Sequence, residues 1–318
     1  MTVPRIHLVD GSVLHRYQEK RRLNLSFLAP QVRLDRWLPA RGVQNLGEHE
    51  AHAGWVAFHS WRPGFLQVDD DERAAIEALR GGRADGSALA RLEHAGWLAD
   101  GVPDLGAITV RAIVDFAALQ NPWELEHFLG RVAERRPRTV VEIGTSSGGL
   151  LYAIAQLSAS DATFISVDVP EPFESAELVA SVPDVLRAVM LPAQRLHLIR
   201  ERSTLHATRE DVRRILAGRS VDLLVIDGDH SYGGVRSDFE MYAELVGPGG
   251  MIALHDVMID PSNSPRGFEV GIFWSELARA RPTETIVDPK GVPGLTSQTH
   301  VPARERQAAA FGFGLILT

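Results

Sequence analysis

Across the second half of the chain, compact apolar runs alternate with stretches whose apolar residues recur at helical spacing. Thr139-Val140-Val141, Phe164-Ile165-Ser166-Val167, Leu196-His197-Leu198-Ile199, residues 221–226 and residues 250–254 have the character of short strands buried on both faces. After the first run, Leu150, Leu151, Ile154 and Leu157 form one helical stripe. After the fourth, Val235, Phe239, Tyr242 and Leu245 form another. Strand and helix in alternation predict an α/β fold in which helices cover both faces of a parallel sheet. Residues 285–287 and 311–317 add two further strands. Such a sheet binds ligands at the carboxyl ends of its strands.

The start of this domain is marked by Asn121-Pro122-Trp123-Glu124. Asn at the N-cap, Pro at the first helical position and Glu completing a capping box predict a helix that Pro137 ends. The chain therefore divides into residues 1–120, an accessory domain, and residues 121–318, the main domain. Upstream, Ile6, Leu8, Val13 and Leu14 predict a strand pair around Asp10-Gly11, and residues 55–58 another strand. A helix is predicted from Asp71 through Ile76 and Leu79 to a Gly81-Gly82 stop. A second, over residues 87–94, leads into Gly96-Trp97-Leu98-Ala99-Asp100-Gly101. Helix, turn, helix and a short apolar hairpin resemble a small winged-helix module. The N-terminal domain is thus expected to be α+β and winged-helix-like, serving substrate selection or dimerisation, with peptide recognition as the other use. Glu48-His49-Glu50-Ala51-His52, with His59, gathers potential ligands, but its spacing matches no recognised zinc pattern.

Composition narrows the partners. The 318 residues are 45% hydrophobic and 23% charged, with a formal net charge of −8. Without a long basic run, this balance argues against nucleic acid, whose phosphates call for a basic surface. There is no Cys, which excludes disulfides and thiolate metal ligands. The first residues lack the apolar core of a signal peptide, and no apolar stretch approaches the roughly 18–20 residues that span a bilayer. The expectation is a cytoplasmic protein without a membrane partner.

Chemistry enters at Glu142-Ile143-Gly144-Thr145-Ser146-Ser147-Gly148-Gly149, where the first strand turns into its helix. Such a turn offers free backbone N–H groups and the positive end of a helix dipole. A dinucleotide fingerprint needs G-x-G-x-x-G, its second glycine letting backbone touch a pyrophosphate. Here that position is Ser146, and the pattern is E-x-G-x-x-x-G. This stretch resembles the first motif of the class I S-adenosylmethionine (SAM) methyltransferases, whose cofactor has no pyrophosphate. The resemblance implies a Rossmann-like, seven-stranded, mostly parallel sheet. It also implies SAM contacts at Glu142, Gly144, Thr145, Ser146, Ser147 and Gly148. Asp168, at the end of the second strand, can accept the ribose hydroxyls of an adenosine cofactor, although Pro170 and Pro172 also make it a plausible helix cap. Ser203, after the third strand, occupies the place that usually contacts adenine.

The densest block is residues 221–257, VDLLVIDGDHSYGGVRSDFEMYAELVGPGGMIALHDV. One buried strand delivers Asp227, Asp229 and His230 to the sheet rim, and the next delivers His255 and Asp256. The I-D-G-D-H-S-Y and L-H-D segments resemble the methyltransferase family that includes sugar and natural-product O-methyltransferases and members named for cephalosporin hydroxylation. Phe273-Trp274-Ser275-Glu276-Leu277 and Gly312-Phe313-Gly314 match its tail, so the resemblance covers residues 121–318. The block is also similar to the catechol and caffeoyl-coenzyme A O-methyltransferases. There, an aspartate after the fourth strand and an Asp-Asn pair after the fifth hold a divalent metal. That likeness places Asp227, which also borders the cofactor, with His255 and Asp256 as ligands of Mg²⁺ or Mn²⁺, and His230 as the base. His255 departs from the oxygen ligand expected at its position, which favours manganese or iron over magnesium. The alternative makes His255 the base and leaves no metal.

A hydroxyl is a poor nucleophile at neutral pH. A bound cation lowers its pKa, and a histidine of pKa about 6.5 can take its proton. The expected activity is therefore SAM-dependent O-methyl transfer to a small-molecule acceptor, a sugar or glycosylated natural product, by a homodimer. Two other readings compete with it. One is a metal-dependent hydroxylase or oxygenase of the same fold, and the other a SAM-sensing binding protein without catalysis.

Overall fold

The computed structural model describes residues 6–10, 55–59, 66–80, 103–116, 118–169, 176–259, 267–293 and 309–318. In the first part of the chain, β1 (Ile6–Asp10), β2 (Trp55–His59) and β3 (Leu66–Val68) form an antiparallel sheet in that order, followed by α1 (Asp70–Arg80). β1 thus pairs with β2; Val13 and Leu14, expected beside it, lie outside the described residues. So do Glu48–His52, the helix expected over 87–94 and the glycine-bounded turn after it, and with them the winged-helix expectation.

The main sheet is built from β4 (Thr139–Ile143), β5 (Thr163–Val167), β6 (Arg195–Ile199), β7 (Val221–Ile226), β8 (Val246–His255), β9 (Glu284–Ile286) and β12 (Phe313–Leu317). Its seven strands run in the order β6-β5-β4-β7-β8-β12-β9. β4 to β8 are parallel, whereas β12 is antiparallel to both β8 and β9. β10 (Val292–Pro293) and β11 (Ala309–Ala310) form a small separate pair. The helices are α2 (Leu105–Val114), α3 (Pro122–Arg135), α4 (Gly149–Leu157), α5 (Ala176–Val189), α6 (His206–Leu216), α7 (Tyr232–Tyr242) and α8 (Val270–Ala280). This is the α/β sheet covered on both faces that the hydrophobic pattern predicts.

Successive strand residues face opposite sides of the sheet, so each strand feeds two cores. Val140, Phe164, Leu223, Val225 and Phe313 pack with α2, α3, α4 and α5. Val141, Ile165, Leu224, Ile226 and Ile316 pack with α6, α7 and α8. The first core extends upstream of residue 121, since Ile108, Ala112, Ile113, Phe116 and Ala118 belong to it. The boundary expected at residue 121 therefore falls inside one hydrophobic cluster. The same packing explains why α4, expected to show one apolar stripe, is buried on every side. β1 runs alongside α5, so the N-terminal sheet rests on the helix whose Leu186 abuts the glycine turn.

Strand order reverses at β4 and β7: β5 and β6 lie to one side of β4, β7 and β8 to the other. In open α/β sheets the crevice outside the carboxyl ends at such a reversal is where ligands bind. Both segments singled out for their chemistry emerge there.

Candidate active site

The glycine turn is shaped by contact with the neighbouring strand. Gly144 has φ 86°, and a Cβ on it would lie 2.0 Å from the Asp227 carbonyl oxygen. Only glycine lets the ends of β4 and β7 approach so closely. Main-chain bonds complete the junction: Gly144 N–H donates to the Val167 carbonyl at 2.9 Å, and Asp227 N–H to that of Ile143 at 2.8 Å. Ser146 has a left-handed φ of 44°, an uncommon backbone for a serine. Gly148 starts α4 without a side-chain cap, so the first amides of the helix have no side-chain acceptor. The Thr145 hydroxyl lies 2.6 Å from that of Ser166, and Ser147 is buried.

Glu142 is fully buried, and neither of its carboxylate oxygens makes a hydrogen bond of good geometry. Burial pushes its pKa up to about 8; Thr145 opposes the shift, while the charges of Asp227 and Asp168 add to it. Such an acid, next to a ligand crevice, is a buried polar group in want of a partner. Asp168 stands at the end of β5 as expected, where Arg200 Nη1 donates to its Oδ2 at 3.0 Å. Ser203 is tied to α7 through its carbonyl, which accepts from the Tyr242 hydroxyl at 2.8 Å.

The ends of β7 and β8 bring two carboxylates and two imidazoles together. His255 Nδ1 lies 3.1 Å from Asp227 Oδ1 and 3.1 Å from Asp256 Oδ1. His230 Nε2 lies 3.4 Å from Asp227 Oδ1 and 3.2 Å from Asp256 Oδ2. Asp256 reaches this arrangement with φ 63°, a strained backbone for a non-glycine residue of the kind that collects at functional sites. His255, only 4% exposed, is walled by Phe311 and Phe313. His230, 31% exposed, stacks on Phe268 at 4.3 Å, and its carbonyl accepts from Glu269 N–H.

The charges are interdependent. Burial opposes protonation of His255, but the charges of Asp227 and Asp256 outweigh it and push the imidazole up to about 9. Burial likewise opposes protonation of His230, and the hydrogen bond to Asp227 with the charge of Asp256 raises its pKa nonetheless. Burial would raise the Asp227 pKa, but His255 and His230 hold it well below the usual carboxylate range. At Asp256 burial prevails over both imidazoles, and its pKa is raised. Two carboxylates facing two imidazoles form a donor set able to hold a cation. Asp227, His230 and Asp256 each offer a ligand atom within 4.8 Å of the others. The metal set expected from the sequence, Asp227, His255 and Asp256, shares both carboxylates with this one. The two differ in the imidazole: His230 faces the open side, whereas His255 is enclosed.

Two site residues carry no sequence signal for the contacts they make here. Gln120 Nε2 donates to Asp227 Oδ2 at 3.0 Å, from a loop position with no periodic or motif context. Glu124 was expected to close a capping box on Asn121. Asn121 does cap α3, accepting from the amides of Trp123 and Glu124. The buried Glu124 carboxylate instead accepts from the amides of Asp288, Phe311 and Gly312, drawing the start of β12 against the helix behind His255. Burial raises its pKa, against those three amides and the charge of His255.

Comparison with known proteins places this rim. Residues 141–257 match the family model of a methyltransferase domain. An uncharacterized protein of Sinorhizobium fredii is 30% identical over 151 residues, an alignment covering 46% of this chain. This chain spans 16% of the length of that relative. The chain is also similar to the solved O-methyltransferase TomG of Streptomyces achromogenes, involved in tomaymycin synthesis and in complex with SAM. The identity is 17%, the coverage 72% of this chain and 95% of that one, and the TM-score 0.43. An O-methyltransferase of Bacillus cereus in complex with S-adenosylhomocysteine (SAH) is 18% identical, covering 72% and 97% with a TM-score of 0.43. Family match and sheet order agree on one region: residues 141–257, which carry this site, match a methyltransferase domain and form the centre of the seven-stranded sheet.

Proposed function

We propose that the chain is a SAM-dependent O-methyltransferase acting on a hydroxyl of a small molecule, assisted by a divalent cation. The sequence resemblance favours a sugar or glycosylated natural product as acceptor. One observation carries the reading: the glycine turn and the Asp–His cluster meet in a single crevice, with Gly144 against the main chain of Asp227.

The donor sets fit both ligands. Glu142, the amides at the start of α4, which no side chain caps, and Asp168 would hold SAM, which when bound supplies an electrophilic methyl group on a sulfonium. Asp227 and Asp256, two hard carboxylates, would hold Mn²⁺ or Mg²⁺, which when bound lowers the pKa of a coordinated hydroxyl, with His230 left outside the coordination as the base. The remaining work falls to the chain itself. Asp227 and Asp256 orient the acceptor hydroxyl by accepting hydrogen bonds, and His255 Nδ1 fixes the two carboxylates relative to each other. His230 Nε2 takes the hydroxyl proton, and the flanking carboxylates stabilise the imidazolium so formed. Phe268, Phe311 and Phe313 keep water from the closed side, which strengthens these charge interactions.

The test is SAH release from SAM across a panel of hydroxylated acceptors, with EDTA and with added Mn²⁺. Release that EDTA abolishes and Mn²⁺ restores supports the whole reading. Undiminished release after exhaustive chelation removes the cation and leaves His230 as base. No release with any hydroxylated acceptor, despite measured SAM binding, overturns the O-methyltransferase assignment.

A further inference from the structure

Gln120 lies one residue ahead of the α3 N-cap and upstream of the residues matched by the methyltransferase family. Its Nε2 donates to Asp227 Oδ2, which fixes the orientation of the amide and leaves Oε1 as an acceptor. Gln120 is 5% exposed, and Oε1 has no hydrogen-bond partner. A buried amide oxygen in that state calls for a donor from a ligand.

Its surroundings say which donor. The segment leading to Gln120 is pressed against the start of α4: a Cβ on Gly149 would lie 2.5 Å from Ala118 N and 2.6 Å from the Phe116 carbonyl oxygen. Gln120 therefore bridges the interval between that helix N-terminus and Asp227. The first turn of α4, which no side chain caps, suits a carboxylate. Gln120 Oε1 suits a cationic donor, as does Glu142, a second buried acceptor without a good hydrogen bond, which feels the charge of Asp227. A carboxylate and an ammonium on one carbon are the two groups of an α-amino acid. Resting on the reading of this crevice as the SAM site, we propose that Gln120 binds the amino-acid end of the cofactor. Its Oε1 accepts a hydrogen bond from the α-ammonium while its Nε2 holds Asp227. One side chain from outside the family-matched region thereby joins cofactor binding to the carboxylate at the centre of the Asp–His cluster.

The test compares SAH with methylthioadenosine, which keeps the nucleoside and thioether but lacks the amino acid, by calorimetry on the full chain. Gln120→Met should weaken SAH binding about ten-fold or more, the worth of a hydrogen bond to a charged group, and leave methylthioadenosine within about two-fold. Gln120→Asn, which keeps an amide but withdraws it, should show the same selectivity and stands in if the Met variant does not fold. The wild-type chain should bind a des-amino analogue of SAH more weakly than SAH by a similar factor. Equal losses for SAH and methylthioadenosine, unchanged SAH affinity in the variants, or full affinity for the des-amino analogue would each overturn the assignment. If the wild-type chain binds none of these ligands, the cofactor reading fails and this inference with it. If it binds SAH and only the Gln120 effects are missing, Gln120 alone is reassigned.

Discussion

The two rims of the main sheet use similar residues to opposite ends. At the amino rim, Arg138, Asp161, Arg195, Arg219 and Asp222 line a cleft of about 560 Å³. There, Asp222 Oδ2 accepts from the amides of Arg138 and Thr139, Arg138 pairs with Asp161, and Arg219 donates to the Thr163 hydroxyl. At the carboxyl rim, Glu142 and Gln120 keep buried oxygens without hydrogen bonds of good geometry, Asp256 holds a strained φ, and two imidazoles face two carboxylates. Paired and hydrated charges are worth little and do little. Buried polar groups left short of partners are costly, and they persist where a ligand completes them. That contrast, more than the residue types, separates scaffold from site.

Glycines offer the largest test of the comparison. Gly144→Ala should abolish measurable SAH binding and destabilise the fold by several kcal/mol, because its Cβ would collide with the Asp227 main chain at a positive φ. Gly218, also at positive φ and close to the amino rim, has nothing within 4 Å of its Cβ position. Gly218→Ala should therefore cost only the backbone strain, about 1–2 kcal/mol, with SAH affinity unchanged. Similar losses of SAH binding in both variants, measured by calorimetry beside urea melts, would erase the distinction.

Carboxylates and imidazoles sharpen it next. His230→Ala should lower turnover about 10²–10⁴-fold while leaving SAH binding intact. In the wild-type chain the rate should rise with pH through a midpoint above the ordinary histidine value, since Asp227 and Asp256 raise the His230 pKa and only the neutral imidazole accepts a proton. Asp222→Asn, at the other rim, should leave turnover unchanged and cost about 1 kcal/mol of stability, the scale of an ordinary hydrogen bond. A pH–rate profile that keeps its midpoint in His230→Ala would assign that titration to another group.

Stability should also carry the signature of the buried acid. Glu142 titrates near 4.5 unfolded and about 8 folded, so its folded form retains a proton that the unfolded chain gives up. The stability it contributes is complete below about pH 4.5 and is lost as pH rises through 8, an effect on the order of a few kcal/mol. Unfolding of the ligand-free protein at pH 5 and pH 8.5 should show this loss in the wild type and much less of it in Glu142→Gln. An identical pH slope in both would refute the assignment. The smallest effect belongs to the amino rim: Arg138→Ala removes an exposed pair and should shift stability by no more than about 1 kcal/mol, less in high salt.

How much of this could be read from residues alone follows from range. The strands over 163–167 and 221–226 were legible because burial on both faces imposes an apolar run on the chain itself, whereas the apolar run over 195–199 forms the sheet's edge strand and is only half-buried. The glycine turn and the carboxylates at strand ends were legible for a similar reason, since a parallel sheet puts ligand groups at the carboxyl end of each strand. Asn121 declared its cap because capping is satisfied within three residues.

Only the tertiary structure decided the rest. Glu124 left its expected capping box for the amides of Asp288, Phe311 and Gly312, some 160 to 190 residues away in the chain, a choice no local pattern encodes. Which imidazole faces the open side depends on Phe311 and Phe313 enclosing His255 while Phe268 stacks on His230. Gln120 is a site residue because α2 and the segment after it pack onto α4 and carry it to Asp227, 107 positions on. The sequence determined the sheet and the groups at its rim, because hydrophobic period and strand polarity are local. The tertiary structure determined how those groups share charge and hydrogen bonds, because burial and the approach of distant segments are set only when the whole chain has closed.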